Sequence, residues 1–91
     1  MPDAIYWLGE TYLQRSRPRE AAEQFLKVST DYGRSTKAPD AMLKLGISLS
    51  ALGAKDQACA TFSELERKYP QAAPSLRQAV EREQRRVRCP T

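Results

Sequence analysis

The sequence contains no histidine and only two cysteines, Cys59 and Cys89. Without histidine, the Ser-His and Cys-His pairs of nucleophilic enzymes and every histidine-ligated metal site are excluded. Two cysteines are too few to complete a tetrahedral zinc site on their own. Glycine-rich phosphate loops and the common short catalytic signatures are also missing. We therefore predict that the protein is not an enzyme and holds no cofactor or metal.

Long hydrophobic runs are also missing. The most apolar stretch, residues 41–54, contains Lys44 and two serines and is shorter than the roughly 20 residues that a membrane-spanning helix needs. Met1 is followed by Pro2 and Asp3 rather than by a basic and then an apolar segment, so no signal peptide can be read. We expect either a cytosolic protein or the C-terminal fragment of a longer precursor.

The net charge of +4 is small, because 15 basic residues are set against 11 acidic ones. Arginines cluster at residues 82–88, which raises nucleic-acid binding as one interpretation. Glu81 and Glu83 lie among or beside these arginines, and no aromatic residues are interleaved with them. A solvated helix face is therefore the preferred interpretation of this cluster, and no nucleic-acid partner is predicted.

The sequence does contain an internal repeat. Residues 2–34 return 37 positions later as residues 39–71, with eight identities in one register. A period of 20 to 50 residues is typical of a helical or β solenoid rather than of a fold with one compact core. The identities pair Pro2, Asp3, Ala4, Leu8, Gly9, Ala21, Phe25 and Tyr32 with Pro39, Asp40, Ala41, Leu45, Gly46, Ala58, Phe62 and Tyr69.

Helical periodicity runs through both copies and beyond them. Apolar residues at spacings of three and four predict helices at about 3–14, 18–32, 39–52, 55–69 and 75–87, and no strand is predicted. Gly33 is expected to end the second helix in the left-handed conformation, and Gly53 is expected to close the third helix. The buried stripe of the first helix is predicted to contain Ala4, Ile5, Leu8 and Tyr12.

Both copies resemble the tetratricopeptide repeat family. The motif is Leu8-Gly9-x-x-Tyr12 with Ala21 and Phe25 in the first copy, and Leu45-Gly46-x-x-Leu49 with Ala58, Phe62 and Pro70 in the second. The resemblance implies an all-α, right-handed superhelix of two helical hairpins with a C-terminal capping helix. The expected units are residues 2–34 (first repeat), 35–71 (linker and second repeat) and 72–91 (capping helix and tail).

A narrower resemblance rests on residues 6–10, on Ala22-x-x-Phe25, and on residues 35–46 and 68–70. These segments are similar to the C-terminal domain of the Tol-Pal-associated periplasmic family called YbgF or CpoB. In that family a signal peptide and a trimerising coiled coil precede three repeats, and the sequence lacks the signal, the coiled coil and the first repeat.

The repeat domain of that family binds TolA and helps to coordinate outer-membrane constriction with peptidoglycan synthesis during division. The resemblance therefore implies a periplasmic protein-binding module and a homo-oligomer. TolA is the implied partner, and the peptidoglycan synthase machinery is a further candidate. A repeat domain of another envelope protein, such as an outer-membrane assembly lipoprotein, is the alternative.

Partner binding is expected on the concave face, which the first helix of each repeat lines in this family. Leu43 and Ile47 are the informative pair, since they lie off the predicted packing stripe and apolar side chains on an inner face suit a peptide partner. The alternative is that both pack beneath the capping helix. The predicted binding residues are Tyr6, Glu10, Leu13, Leu43, Ile47 and Ser50.

Trp7 lies off both stripes of the first helix. Tryptophan is a favoured anchor at interfaces, but we prefer the interpretation that Trp7 faces the repeat that is missing from the sequence. An exposed tryptophan at that edge predicts self-association through residues 3–14.

Cys59 and Cys89 are predicted to form a disulfide if the fifth helix folds back antiparallel on the fourth. The residues fall a few positions out of step, so the alternative of a buried Cys59 and a free Cys89 stays open. A disulfide across this loop would stabilise the fold by about 3 kcal/mol in an oxidising compartment.

Overall fold

The computed structural model describes residues Met1–Pro90, which form five α-helices and no β-strand. This arrangement confirms the prediction of an all-α helical-repeat fold. No helix in the described part is long and apolar enough to cross a membrane. The helices are α1 (Pro2–Gln14), α2 (Pro18–Asp31), α3 (Ala38–Ala51), α4 (Lys55–Lys68) and α5 (Pro74–Val87).

Proline begins most of these helices. It occupies the first or second position of α1, α2, α3 and α5, where its missing N–H would have no partner within the helix. The helices pair in chain order: α1 packs on α2, and α3 packs on α4. Helix α2 also packs against α3, and α5 lies against both α4 and α3. The result is two stacked hairpins with a fifth helix at one end; we call α1, α3 and α5 the A helices, and α2 and α4 the B helices.

Each hairpin closes around a glycine and a phenylalanine. Phe25 and Phe62 are fully buried, and each ring lies against the glycine of its own repeat. A Cβ atom at Gly9 would lie 2.7 Å from Cε1 of Phe25, and one at Gly46 would clash with the same atom of Phe62. The glycines therefore let the A and B helices approach until the ring fills the space between them.

The turn between the two helices of each hairpin uses one left-handed residue. Gly53 has φ of 82°, and its counterpart 37 positions earlier, Ser16, has φ of 59°. Serine reaches this region only at a cost that glycine does not have. The two turns therefore keep the same backbone shape although their sequences differ.

The prediction that Gly33 ends α2 in the left-handed conformation is wrong. Helix α2 ends at Asp31, and Tyr32, with φ of −129°, takes the chain out of the helix. Tyr69 does the same after α4, with φ of −126°, so no left-handed glycine is needed at either exit. The Tyr69 hydroxyl also donates a hydrogen bond of 2.7 Å to the carbonyl oxygen of Gly33. The repeated tyrosine thus ends each B helix, and the second one ties the two repeats together.

A disulfide joins Cys59 of α4 to Cys89, with the two Cα atoms 5.5 Å apart. Arg88 ends α5 in the left-handed conformation, with φ of 64°, and the Cys89 N–H then donates to the Gln84 carbonyl oxygen. This turn brings Cys89 back towards α4. The structure therefore has the predicted pairing and not the alternative of two free thiols.

Candidate protein-binding surface

Two of the six predicted binding residues are buried. Tyr6 is 6% exposed and Leu43, its counterpart in the second repeat, is 8% exposed. Tyr6 belongs to a cluster that includes Ala41 and Leu45 of α3. Leu43 belongs to a second cluster that includes Val80 of α5. The expectation that these two side chains line an open groove is therefore wrong, because in each repeat the next A helix covers this position.

Ile47 packs against the same cluster as Leu43 and is only partly buried. Leu43 therefore packs beneath the fifth helix, as in the second alternative, whereas Ile47 contacts the same cluster and stays partly exposed. The reason is that α5 packs against α3 and contributes Val80 to the cluster that contains Leu43. A substitution of Leu43 by aspartate would bury a carboxylate and disturb folding, so it cannot report on binding.

Four predicted residues remain accessible, all partly exposed and all on A helices. We call them the A-helix face: Glu10 and Leu13 on α1, and Ile47 and Ser50 on α3. Ser50 is the repeat counterpart of Leu13, and Ile47 is the counterpart of Glu10. The face therefore presents one carboxylate, one hydroxyl and two aliphatic side chains, a mixture that suits a polypeptide partner.

An ion pair crosses from α1 to α3 beside this face. Lys44 Nζ lies 3.3 Å from Glu10 Oε1, with side chains 30% and 20% exposed. Partial exposure limits the stabilisation by such a pair to about 1 kcal/mol or less. The clearer effect of the ion pair is to position the Glu10 carboxylate between α1 and α3.

Two carboxylates lie near the Tyr6 hydroxyl. Burial, and then the charges of Glu10 and Asp40, raise the pKa of the Tyr6 hydroxyl to about 12 from its ordinary 10.0. The raised pKa keeps the hydroxyl protonated well beyond the physiological range.

Lys37 lies beside the same two aromatic residues of α1. Its ammonium nitrogen is 5.0 Å from the centroid of the Tyr6 ring and 5.0 Å from that of Trp7. The Tyr6 and Trp7 rings are themselves almost perpendicular, at 85°, with centroids 5.2 Å apart. Lys37 was interpreted from the sequence only as part of the segment between the repeats.

Sequence reasoning missed three residues of this region, Lys37, Asp40 and Lys44. The repeat offered a signal for one of them, since Lys44 is the counterpart of Trp7 and therefore points from α3 towards α1. From the sequence, Asp40 is only a repeat identity and part of the segment 35–46, with no predicted role at the surface. Nothing in the spacing placed Lys37 over the rings, because it lies outside both helices of the first repeat.

The outer face of α1 also differs from the prediction. Leu8 was expected in the buried stripe but is 43% exposed, and Ala4 is exposed as well. Their counterparts on α3, Ala41 and Leu45, are buried in the cluster that includes α2. The positions are packing positions in both repeats, but in the described residues only α3 has a B helix on that side. Trp7 lies next to this face and is 55% exposed.

Comparison with known proteins identifies the repeats. The sequence pattern of the tetratricopeptide repeat matches residues 3–35 and again residues 40–72, which together make up more than half of the chain. The two matched segments coincide with the two helical hairpins of the structure. A comparison with curated proteins gave no match. Two matched repeats, each closed by a glycine against a phenylalanine, show that the chain belongs to the tetratricopeptide repeat family.

Proposed function

We propose that the protein binds another polypeptide through the A-helix face. Tetratricopeptide repeats form protein–protein interaction modules, and this chain carries two of them. The observation that carries the proposal is the run of partly exposed side chains, charged, hydroxylated and aliphatic, along two neighbouring A helices. Such a surface offers apolar contact together with hydrogen-bonding groups that fix the register of an extended or helical segment.

The partner that we propose is TolA, in the periplasm of a bacterial envelope. Support comes from the resemblance of residues 6–10 and 35–46 to the YbgF or CpoB family. The disulfide between Cys59 and Cys89 supports an oxidising compartment, because cytosolic proteins rarely keep such bonds. In this proposal the protein helps to coordinate outer-membrane constriction with peptidoglycan synthesis during cell division. A repeat domain of another envelope protein, such as an outer-membrane assembly lipoprotein, remains the alternative.

The binding proposal predicts a specific effect of bulk at Ser50. Replacing Ser50 by arginine places a long cation on the A-helix face without disturbing the core, and should weaken binding of the TolA periplasmic region about tenfold. Isothermal titration calorimetry would measure both affinities. Ser63→Arg is the matched control, since Ser63 is an exposed helical serine on the B helix α4.

The outcomes separate the parts of this proposal. If wild-type protein fails to bind TolA but captures another envelope protein in a Ser50-dependent way, the partner is wrong and the surface is right. If Ser50→Arg and Ser63→Arg bind alike, the A-helix face is not the binding surface.

A second candidate function is self-association through the outer face of α1. The observation in its favour is that Leu8 is 43% exposed although its counterpart Leu45 is packed against α2. A second copy could supply the missing contact and produce the homo-oligomer that the family resemblance implies. Burial of the exposed Trp7 and Leu8 would provide apolar area for such a contact.

Self-association predicts a concentration-dependent mass in analytical ultracentrifugation. Replacing Leu8 by glutamate should shift the protein to monomer, because two carboxylates would be brought into the contact. Leu26→Glu is the control, since Leu26 is similarly exposed, at 49%, but lies on α2. A wild-type protein that stays monomeric at high concentration would exclude this function.

A further inference from the structure

Tyr6 and Trp7 form a corner of two aromatic rings that already holds a cation. The rings meet at 85°, and the Lys37 ammonium lies 5.0 Å from the centroid of each. Other cation–ring contacts of the described residues involve one ring each: Arg17 at Tyr12, at 5.8 Å, and Lys68 at Tyr69, at 5.6 Å. The corner is therefore the place in the described chain where two ring faces attract one positive charge.

The charges around the corner favour a cation there. After burial, the carboxylates of Glu10 and Asp40 contribute to the raised pKa of the Tyr6 hydroxyl, so two acidic groups lie near the Tyr6 side of the corner. Glu10 is itself held in place by Lys44. Cation–π attraction and two nearby carboxylates act in the same direction, and both are strengthened where water is partly excluded.

Within the described residues, Lys37 is fixed in the corner neither by an ion pair nor by a place within a helix. Its ammonium makes no ion pair within residues 1–90, and it extends from the segment between α2 and α3 rather than from the middle of a helix. Trp7, at 55% exposed, forms the open wall of the corner, whereas Tyr6, at 6%, forms the buried wall. A side chain from another molecule can therefore reach the corner from the Trp7 side if Lys37 moves away into water.

We propose that the Tyr6–Trp7 corner is a binding site for a lysine or arginine side chain of a partner polypeptide, and that Lys37 occupies this site in the free protein. The proposal rests on the proposed function, since it gives the polypeptide partner one basic residue that enters beside the A-helix face. In the exchange one cation replaces another over the same rings, so the cation–π attraction is kept. The partner's basic residue would thus fix the register of its segment along α1 and α3.

The test uses tetramethylammonium and Nα-acetyl-lysine amide as probes, so it does not depend on a known partner. Methyl protons of tetramethylammonium over an aromatic face shift upfield in NMR, and Trp7, the only tryptophan, reports binding by its fluorescence. Sodium chloride at equal ionic strength is the reference. Lys37→Gln should bind both probes about two- to fivefold more tightly than wild type, because it removes the internal competitor.

Two variants make the result specific. Lys68→Gln, which removes the same charge from a single-ring contact elsewhere, should leave the affinity for the probes unchanged. Trp7→Leu, at an exposed position, should abolish the upfield shift while the helical content stays the same. If Lys37→Gln and wild type bind the probes alike, or if the shift persists in Trp7→Leu, the proposal is overturned. Failure of TolA to bind would not affect either result, so the two proposals fail separately.

Discussion

Replacing Phe62 by alanine should lower the free energy of unfolding by about 3–5 kcal/mol. Phe62 is fully buried, and its ring fills the gap that Gly46 leaves between α3 and α4. The loss combines the transfer free energy of a large aromatic side chain with the cost of the cavity that remains. Because domains of this size are stable by only about 5–15 kcal/mol, urea denaturation followed by circular dichroism should show a large shift of the midpoint.

Gly46→Ala tests whether the contact between Gly46 and the Phe62 ring accounts for this stabilisation. In the wild-type background the added methyl would meet the Phe62 ring, and this overpacking should destabilise the fold by about 1–3 kcal/mol. Alanine is the better helix former and should stabilise the helix by roughly 1 kcal/mol, so the net effect should be destabilising. In the Phe62→Ala background the ring is absent, so the same change should become neutral or stabilising. A double-mutant cycle measures this reversal. If Gly46→Ala had the same effect in both backgrounds, the close approach of the two helices would be contradicted.

Removing the disulfide should lower the free energy of unfolding by about 3–4 kcal/mol. The bond closes a loop with a sequence separation of 30, and the stabilisation expected from constraining such a loop in the unfolded chain has this size. The variant is Cys59→Ala with Cys89→Ala, compared with oxidised wild type in urea. Reductant should lower the stability of wild type towards that of the variant and leave the variant unchanged.

Loss of the disulfide should destabilise α5 more than the other helices. Helix α5 presents a single fully buried residue, Val80, to the cluster that it shares with Leu43. Amide hydrogen exchange should therefore speed up in α5 and around Leu43 before it does in α1 and α2. Equal stability of the oxidised wild type and the variant, with unchanged exchange in α5, would mean that the bond does not hold this helix.

The repeat in the sequence matches the packing that the two hairpins share at one glycine and one phenylalanine. Gly9 and Gly46 are identical in register, and so are the two phenylalanines, since each pair must fit the same gap between two helices. Helix boundaries followed from proline positions and from the spacing of apolar residues. For the cysteines the sequence left a disulfide and two free thiols as alternatives, and the structure has the disulfide.

Exposure could not be predicted in the same way, because periodicity tells which residues share a stripe and not which helix covers them. Leu8 matches Leu45 in sequence, but only Leu45 meets a B helix in the described chain. Tyr6 and Leu43 differ in sequence, which favoured a binding role for both, yet each lies under the next A helix. A position whose residue differs between the repeats can therefore be a packing position in both. Tyr6 packs with residues of α3, and Leu43 packs with a residue of α5.

The contact of Lys37 with the Tyr6–Trp7 corner could not be predicted from sequence patterns, for another reason. It joins two neighbouring residues of α1 to a residue about 30 positions later, outside any helix. Neither helical periodicity nor the repeat relates these positions. Only the packing of α3 against the first hairpin brings Lys37 over the rings.

Protein binding through the A-helix face is tested most directly by mapping the contact. Isotope-labelled protein would be titrated with the TolA periplasmic region, and the amide shifts in NMR would be followed residue by residue. The proposed surface predicts that the perturbed amides centre on Glu10, Leu13, Ile47 and Ser50 of α1 and α3. Perturbations confined to the exposed sides of the B helices α2 and α4, or no perturbation at saturating TolA, would contradict it.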